Sequence, residues 1–230
     1  MSKTISAWSY SRLSTWMQCP FKAKLLMIDK LKEPTNAAME RGSNIHKKLE
    51  VYMSTNKGRV FKEMGPYKNY LCGLRKNKKN YKAFATEMQV AFNKDLKQVD
   101  WFGWDAWLRA ILDLYILEDD NKAVIIDYKT GRRKNEHVDQ ADMYAAVFYL
   151  LNKDTFNKSG ELSVQFLYVD QPNIEEMLEK TYNIKTCEKH LKRFLKMGEA
   201  MTKDEAFTKK PSNNCKWCHF RKANNGPCTY

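Results

Sequence analysis

The sequence has no long apolar run. No segment approaches the roughly 20 residues that a membrane-spanning helix requires, and the N-terminus lacks the continuous apolar segment that directs secretion. We therefore expect a cytoplasmic protein with no membrane partner. Its six cysteines are then not expected to form disulfide bonds, and they need another explanation.

Acidic residues are few relative to basic ones. The chain has 27 Asp and Glu against 40 Lys and Arg, which gives a formal net charge of +13. Such an excess favours polyanionic partners, nucleic acid before an anionic membrane. The alternative is a role in solubility, because basic runs such as residues 74–82 are more often solvated surface. With 43% hydrophobic residues, the chain can bury a core, and we expect residues 1–230 to form a single domain.

The stretch 124–131, VIIDYKTG, organises the rest of the chain. It contains most of an apolar, β-branched run, residues 123–126, which predicts a strand. Asp127 and Lys129 follow two residues apart, so their side chains share one face of that strand. A lone Asp-x-Lys is more often a salt bridge than a catalytic site. The residues around it decide between the two.

A second carboxylate, Asp113, lies in the apolar run 108–117, upstream of Asp127. A polar turn at residues 118–122 separates the two runs. A hairpin centred on Asp120 pairs residues whose numbers add to 240 and places Asp113 opposite Asp127, with Cβ atoms about 5 Å apart. A divalent cation bound by both carboxylates would relieve their repulsion, and oxygen ligands suit Mg²⁺ or Mn²⁺. A slip of one residue would put the two on opposite faces.

Two segments before the hairpin carry further polar candidates. Residues 35–53 have helical periodicity, and Gly42 and His46 share one face of that helix. A lone histidine on a helix is usually structural, whereas glycine allows a close approach of backbone or ligand. Residues 83–92 alternate as a strand with Glu87 near the middle.

The segments after the hairpin predict a helix, a strand and a second helix. Residues 138–151 form a helix by period, with Gln140 and Tyr144 on one face. Residues 162–169 predict another strand, and residues 184–200 predict a long helix.

Residues 94–107 contain three tryptophans, Trp101, Trp104 and Trp107, in a polar setting. They can pack a hairpin on the sheet, or they can offer aromatic surfaces on which unpaired bases stack. We expect the packing role for at least two of the three.

The cysteines near the C-terminus form a pattern. Cys215 and Cys218 make a C-x-x-C pair, which can share one metal ion or cluster, and Cys228 follows after nine residues. A structural zinc or an iron–sulfur cluster usually takes four ligands. Cys19, which precedes a proline at the end of a short helix, is the best fourth, and the set would then join the two chain ends. Spacing alone leaves zinc and an iron–sulfur cluster open.

The order of these elements resembles the RecB-type branch of the PD-(D/E)xK nucleases. The elements are Gly42-x-x-x-His46, Glu87, Asp113, Asp127-x-Lys129 and Gln140-x-x-x-Tyr144. The cysteine pattern is similar to its iron–sulfur members, which include CRISPR-associated adaptation nucleases, the AddB nuclease domain and stand-alone phage exonucleases. The resemblance covers residues 19–228. Asp-x-Lys alone is a weak motif, and the ordered set with the cysteine frame is far more specific.

The resemblance implies a restriction-endonuclease-like α/β fold, with a central mixed β-sheet flanked by helices and the chain ends clasped by a four-cysteine cluster. It also implies a metal site. His46, Asp113, Asp127 and the backbone carbonyl of Tyr128 would bind the metal ion.

The remaining roles come from the same resemblance. Lys129 would position or activate the attacking water and stabilise charge at the phosphate. Gln140 and Tyr144 would hold the substrate and the lysine, and Glu87 matches an acidic position before the first metal-binding aspartate. Asp127 stands where many superfamily members have Glu.

The implied function is a Mg²⁺- or Mn²⁺-dependent DNA exonuclease acting on single-stranded DNA or duplex ends in recombination, repair or phage DNA processing. A helicase or recombinase could act with it. The iron–sulfur precedent favours a 4Fe–4S cluster over zinc, although the gap between Cys218 and Cys228 is longer than usual in the family. The alternative function is a non-catalytic, cluster-bearing module that binds nucleic acid.

Overall fold

The protein contains a mixed six-stranded β-sheet with strand order β2-β1-β3-β4-β5-β6. The computed structural model describes residues 4–55 and 58–230. The strands are β1 (Ala83–Phe92), β2 (Gln98–Val99), β3 (Leu108–Leu117), β4 (Lys122–Lys129), β5 (Glu161–Tyr168) and β6 (Leu178–Tyr182). The sequence predicts all of these except the short strands β2 and β6.

Within the described residues, six α-helices accompany the sheet. They are α1 (Tyr10–Gln18), α2 (Pro20–Met27), α3 (Ala37–Ser54), α4 (Lys68–Lys76), α5 (Glu136–Asn152) and α6 (Ile184–Lys203). Helix α3 begins where the side chain of Asn36 accepts a hydrogen bond from the Met39 N–H. Across residues 4–55 and 58–230, no helix combines the length and the apolar character needed to cross a membrane.

The chain forms two compact units. Unit 1 comprises Met1–Thr35, Ala91–Arg109 and Leu195–Tyr230, and unit 2 comprises Asn36–Val90 and Ala110–Phe194. Both units are therefore assembled from segments that are distant in sequence.

The register of the β3–β4 hairpin determines where the predicted acidic residues lie. The pairs run from Leu114↔Ile126 to Leu117↔Ala123, so the expectation that paired numbers add to 240 is confirmed. Asp113 and Asp127 occupy the next positions of the two strands. Strand β5 pairs parallel to β4, and α5 supplies the crossover that parallel strands require.

The core of unit 2 lies between the sheet and helices α3 and α4. Leu49 and Met53 of α3 and Leu71 of α4 are fully buried with Ile116 and Ile126 of the hairpin. Because α3 is packed on the sheet by these contacts, its polar residues can be held in a fixed position relative to β3 and β4.

Unit 1 has its own packing around a fully buried tryptophan. Trp8 meets Trp107 edge to face with ring centroids 5.5 Å apart, and the Trp8 backbone N–H donates to the Trp107 carbonyl at 2.8 Å. Gly198 of α6 lies against the Trp8 ring, where a Cβ would come within 2.2 Å of it. The Trp16 indole donates to Asp204 at 2.7 Å and ties α1 to the segment after α6.

Candidate active site

Three side chains from three elements of unit 2 converge on one point. His46 comes from α3, Glu87 from β1 and Asp113 from β3, and each offers a ligand atom within 4.8 Å of the other two. Asp113 is buried, and the other two are partly buried. Two carboxylates and an imidazole at this spacing form a donor set for a divalent cation.

Asp113 is held in place by the neighbouring strand. Its Oδ2 accepts a hydrogen bond of 2.9 Å from the Tyr128 backbone N–H and lies 3.2 Å from His46 Nδ1. The His46 ring also meets the Tyr128 ring edge to face, with centroids 6.0 Å apart. Burial disfavours the charged imidazole, but the hydrogen bond and charge of Asp113 outweigh it and raise the pKa of His46 to about 9.

Glu87 adopts an uncommon backbone conformation. Its φ is +46°, in the left-handed region that costs non-glycine residues energy and is enriched at functional sites. Burial raises the pKa of its carboxyl, and the charge of Asp113 raises it further. A cation between these carboxylates would remove the repulsion.

Asp127 is the centre of a second network, next to the first. It is buried, and its Oδ1 accepts hydrogen bonds from the Tyr144 hydroxyl at 2.6 Å and from Gln140 Nε2 at 3.0 Å. Its Oδ2 lies 2.7 Å from the Lys129 ammonium. Burial, followed by the charge of Asp113, raises the pKa of Asp127, and the charge of Lys129 opposes this.

Lys129 is positioned from several sides. Its ammonium donates to Gln140 Oε1 at 3.1 Å and stands 5.2 Å from the ring centroid of Phe166 on β5. His137, at the start of α5, stacks on the same phenylalanine with centroids 5.6 Å apart. The Lys129 side chain keeps 22% of its surface exposed, so the ammonium can reach a bound anion.

Local sequence explains why these groups meet. Gln140 and Tyr144 are one turn apart on α5, and Gln140 Nε2 also donates to the Tyr144 hydroxyl at 2.9 Å. Gly42 lies where a Cβ would come 3.1 Å from Thr130 Oγ1, so glycine allows α3 to approach the end of β4 closely. His46 follows one turn later on that helix.

The four cysteines that the sequence singled out line one cavity of about 220 Å³ in unit 1. They are Cys19, Cys215, Cys218 and Cys228, and all are free thiols. Cys215 Sγ accepts a hydrogen bond of 3.3 Å from the Ser212 N–H. The tail is tied to the N-terminal helices, because Lys210 Nζ donates to the Met17 carbonyl at 2.8 Å. The four cysteines therefore line the same cavity, and their joint binding of a metal ion or cluster stays a prediction.

Comparison with known families decides the classification. A family model described as the PD-(D/E)XK nuclease superfamily matches residues 7–223. The chain belongs to the PD-(D/E)XK nuclease superfamily. The expected restriction-endonuclease-like fold, a mixed sheet flanked by helices, is thereby confirmed. No curated protein matched the chain.

Solved structures similar to this superfamily member share little sequence with it. They include a candidate exonuclease from Eubacterium rectale, with 12% identity, 92% of both chains covered and a TM-score of 0.44. A protein named SSO0001 has 14% identity, a TM-score of 0.41 and coverage of 96% of this chain and 86% of the other. LHK-Exo, an alkaline exonuclease from Laribacter hongkongensis, has 12% identity, a TM-score of 0.37 and coverage of 86% and 90%.

The site residues predicted for this nuclease-superfamily chain fall into the two networks. The group within 4.8 Å contains Glu87 with His46 and Asp113, whereas Asp127 is held by Lys129, Gln140 and Tyr144. Sequence reasoning missed Phe166, whose only signal was membership of an apolar strand. Nucleases of this superfamily generally use divalent metal ions, and the donor chemistry of the first network fits such an ion.

Proposed function

We propose that this protein is a Mg²⁺- or Mn²⁺-dependent DNA exonuclease that hydrolyses phosphodiester bonds. The observation that carries the proposal is the convergence of His46, Glu87 and Asp113 next to the Asp127–Lys129 ion pair. Membership of a nuclease superfamily supports the reaction class. The restriction to single-stranded DNA or duplex ends rests on the family resemblance alone.

The metal-binding role is proposed for residues of both networks. His46, Asp113, Asp127 and the Tyr128 carbonyl are the expected ligands, and the position of Glu87 makes it a further candidate. When bound, a divalent ion would supply Lewis-acid stabilisation of charge on the phosphate and would activate water. The raised pKa of His46 means that its ring must lose a proton before it can act as a ligand.

The other residues act on the substrate and on each other. The Lys129 ammonium, fixed between Asp127 and Gln140, would stabilise the negative charge that builds on the phosphate oxygens. Gln140 and Tyr144 hold the Asp127 carboxylate in one orientation through their hydrogen bonds. A preformed arrangement of this kind avoids reorganisation during the reaction.

The positive charge of the chain would hold the DNA backbone. With a formal net charge of +13, binding should weaken steeply as salt rises because counterions are released. We keep recombination, repair or phage DNA processing as the proposed setting, with a cytoplasmic location and a helicase or recombinase as the proposed kind of partner.

We also propose a 4Fe–4S cluster on Cys19, Cys215, Cys218 and Cys228. The four cysteines line one cavity, which supports a shared site, and the choice of a cluster over zinc rests on the family resemblance. Protein purified without oxygen should be brown, and Cys215→Ser should lose the colour. Colourless native protein with one zinc per chain would refute the cluster.

Digestion of end-labelled DNA tests the enzymatic proposal. Linear single strands, linear duplexes and closed circles are incubated with Mg²⁺ or Mn²⁺ and resolved by length. We expect the native protein to shorten linear substrates from their ends and to spare circles, and Asp113→Asn to be inactive. The exposed Asp154→Asn serves as the matched control and should remain active. Equal rates for native protein and Asp113→Asn would exclude this site as the source of cleavage, and a native protein that does not cleave would leave the non-catalytic binding module.

A further inference from the structure

The three tryptophans of the segment between β1 and β3 have different environments. Trp107 is buried, and Trp101 is half-buried below the Arg109 guanidinium, 5.8 Å from its ring centroid. Trp104 is 97% exposed, and its neighbour Phe102 is 84% exposed. The expected packing role therefore applies to Trp107 and Trp101. It leaves the two exposed rings without an explanation from packing.

The loop that carries these rings is fixed by hydrogen bonds. The Asp100 carbonyl accepts from the Gly103 N–H at 2.9 Å, and Asp100 Oδ1 accepts from the Phe102 N–H at 2.8 Å. The Gly103 carbonyl accepts from the Ala106 N–H at 3.1 Å and forms a second turn. Two successive turns hold the backbone, so little conformational freedom would be lost when the rings bind a ligand.

The exposed aromatic side chains are concentrated in unit 1. Among the residues that the structure describes, the aromatic side chains exposed by more than half are Phe102, Trp104, Trp217 and Tyr230. All four belong to unit 1, which comprises fewer than half of the residues. An aromatic side chain in water exposes a large apolar face, and such exposure favours a partner with a complementary flat surface.

Unit 1 also carries most of the net positive charge. Its three segments contain 16 Lys and Arg against 8 Asp and Glu, so it contributes +8 of the formal net charge of +13. A ligand that matches both features has flat apolar rings and a negative backbone. Unpaired nucleotides meet this description, because their bases have free π-faces and each phosphate carries a charge.

We propose that Phe102 and Trp104 form a stacking platform for the unpaired bases of single-stranded DNA. This inference rests on the proposed function, because it identifies the strand state that such a nuclease would grip. Bases in a duplex are stacked on each other, so they offer the two rings far less surface. The hydrogen-bonded turns present the rings without prior rearrangement.

Binding without cleavage tests this proposal. Labelled oligothymidylate and a labelled duplex of equal length are titrated with protein in EDTA, and fluorescence anisotropy gives the dissociation constants. Stacking of one base on one aromatic side chain contributes about 1–3 kcal/mol to the binding free energy. The double variant Phe102→Ala/Trp104→Ala should therefore bind the single strand about 10- to 100-fold more weakly. Duplex binding should change less than about twofold, and the salt dependence should keep its slope.

Two controls separate stacking from other effects. Trp104→Phe keeps a ring and should remain within about threefold of native binding, because stacking tolerates a change of ring. Ile174→Ala removes an exposed apolar side chain from unit 2 and should have no effect. Circular dichroism confirms that each variant is folded.

Binding is measured in EDTA, so the result for the stacking platform does not depend on whether the protein cleaves DNA. Native-like single-strand binding by the double variant, or equal losses for single strand and duplex, would overturn it, and the first result would point to a protein partner for the two rings. A native protein that does not bind oligothymidylate would also overturn it. If the double variant loses single-strand binding selectively but the native protein does not cleave DNA, the enzymatic proposal fails and the stacking platform stands.

Discussion

The backbone N–H of Tyr128 donates a 2.9 Å hydrogen bond to Oδ2 of Asp113. This bond links the two strands of the hairpin at the point where Asp113 and Asp127 emerge. The backbone of β4, which carries Asp127, thereby holds the Asp113 carboxylate in place. A shift of β4 would therefore move groups in both networks of the candidate site. Changes in one network should therefore affect the chemistry of the other.

Removing the ammonium should slow cleavage without unfolding the protein. Lys129→Ala deletes the cation that faces Asp127 Oδ2, and the loss of one stabilising charge at a phosphate should lower the single-turnover rate about 100- to 1000-fold. Lys153→Ala removes an exposed lysine after α5 and should be neutral. Equal rates for the two variants would exclude a chemical role for Lys129.

The Tyr144 hydroxyl should contribute to both stability and rate. Tyr144→Phe removes the 2.6 Å hydrogen bond to buried Asp127, and bonds to charged groups contribute about 1.5–3 kcal/mol. We expect urea denaturation to show a loss of about 2 kcal/mol in the free energy of unfolding. Cleavage should slow at least about tenfold, because the carboxylate is less well oriented. Tyr149→Phe on the same helix is the control. Equal stability and equal cleavage rates for the two variants would show that the Tyr144 hydroxyl contributes to neither.

Two glycines should respond to alanine in opposite directions. In Gly198→Ala the new Cβ would come within 2.2 Å of the buried Trp8 ring, so the free energy of unfolding should fall by about 1–3 kcal/mol or more. In Gly73→Ala on α4 the Cβ meets no neighbour, and helix propensity should raise that free energy by up to about 1 kcal/mol. Thermal or urea unfolding of both variants tests the pair. Equal destabilisation would show that packing around Trp8 is not as described.

His137 should make the protein less stable in mild acid. The Lys134 backbone N–H points at His137 Nδ1 at 3.3 Å, so this nitrogen acts as an acceptor and the ring is neutral, with the Tyr168 hydroxyl 2.7 Å away. Burial lowers the pKa of His137 to about 4, and the positive charges of Lys129, Lys134 and Arg133 contribute to this shift. The negative charge of Glu136 opposes it.

The sign of the effect follows from the direction of this shift. The unfolded chain takes up a proton near pH 6.5 and the folded chain only near pH 4, so the free energy of unfolding should fall as pH drops through this interval. His137→Asn should reduce that slope, whereas replacement of the exposed His219 by Asn should not. Urea titrations between pH 7 and about pH 4 measure the slopes, and identical slopes for native protein and His137→Asn would refute the assignment.

Local sequence patterns were sufficient for the hairpin and the helix faces. The turn at residues 118–122 determined the register, and the confirmed pairing of Leu114 with Ile126 follows from it. The spacing of Gln140 and Tyr144 placed both on one side of α5, where they meet Asp127. These relations depend on residues close in sequence, which periodicity captures.

Contacts between residues that are distant in the chain could not be predicted from the sequence. Glu87 joins His46 and Asp113 through a left-handed backbone residue within β1, which no propensity predicts. Phe166 meets Lys129 because β5 pairs parallel to β4, to which α5 connects it along the chain. The alternation of side chains along a strand does not determine which strands pair. The strand β6 was missed because its five residues combine polar and apolar side chains without a clear signal.

Calorimetric titration of Mn²⁺ into native protein, Asp113→Asn and Asp154→Asn, followed by a cleavage assay on the same samples, tests whether Asp113 holds the metal ion that cleavage requires. We expect Asp113→Asn to lose one Mn²⁺ site, or to bind Mn²⁺ there at least about tenfold more weakly, and to lose cleavage with it. Asp154→Asn should behave like the native protein in both measurements. Native Mn²⁺ binding and native cleavage by Asp113→Asn would show that Asp113 neither holds the metal ion nor takes part in cleavage.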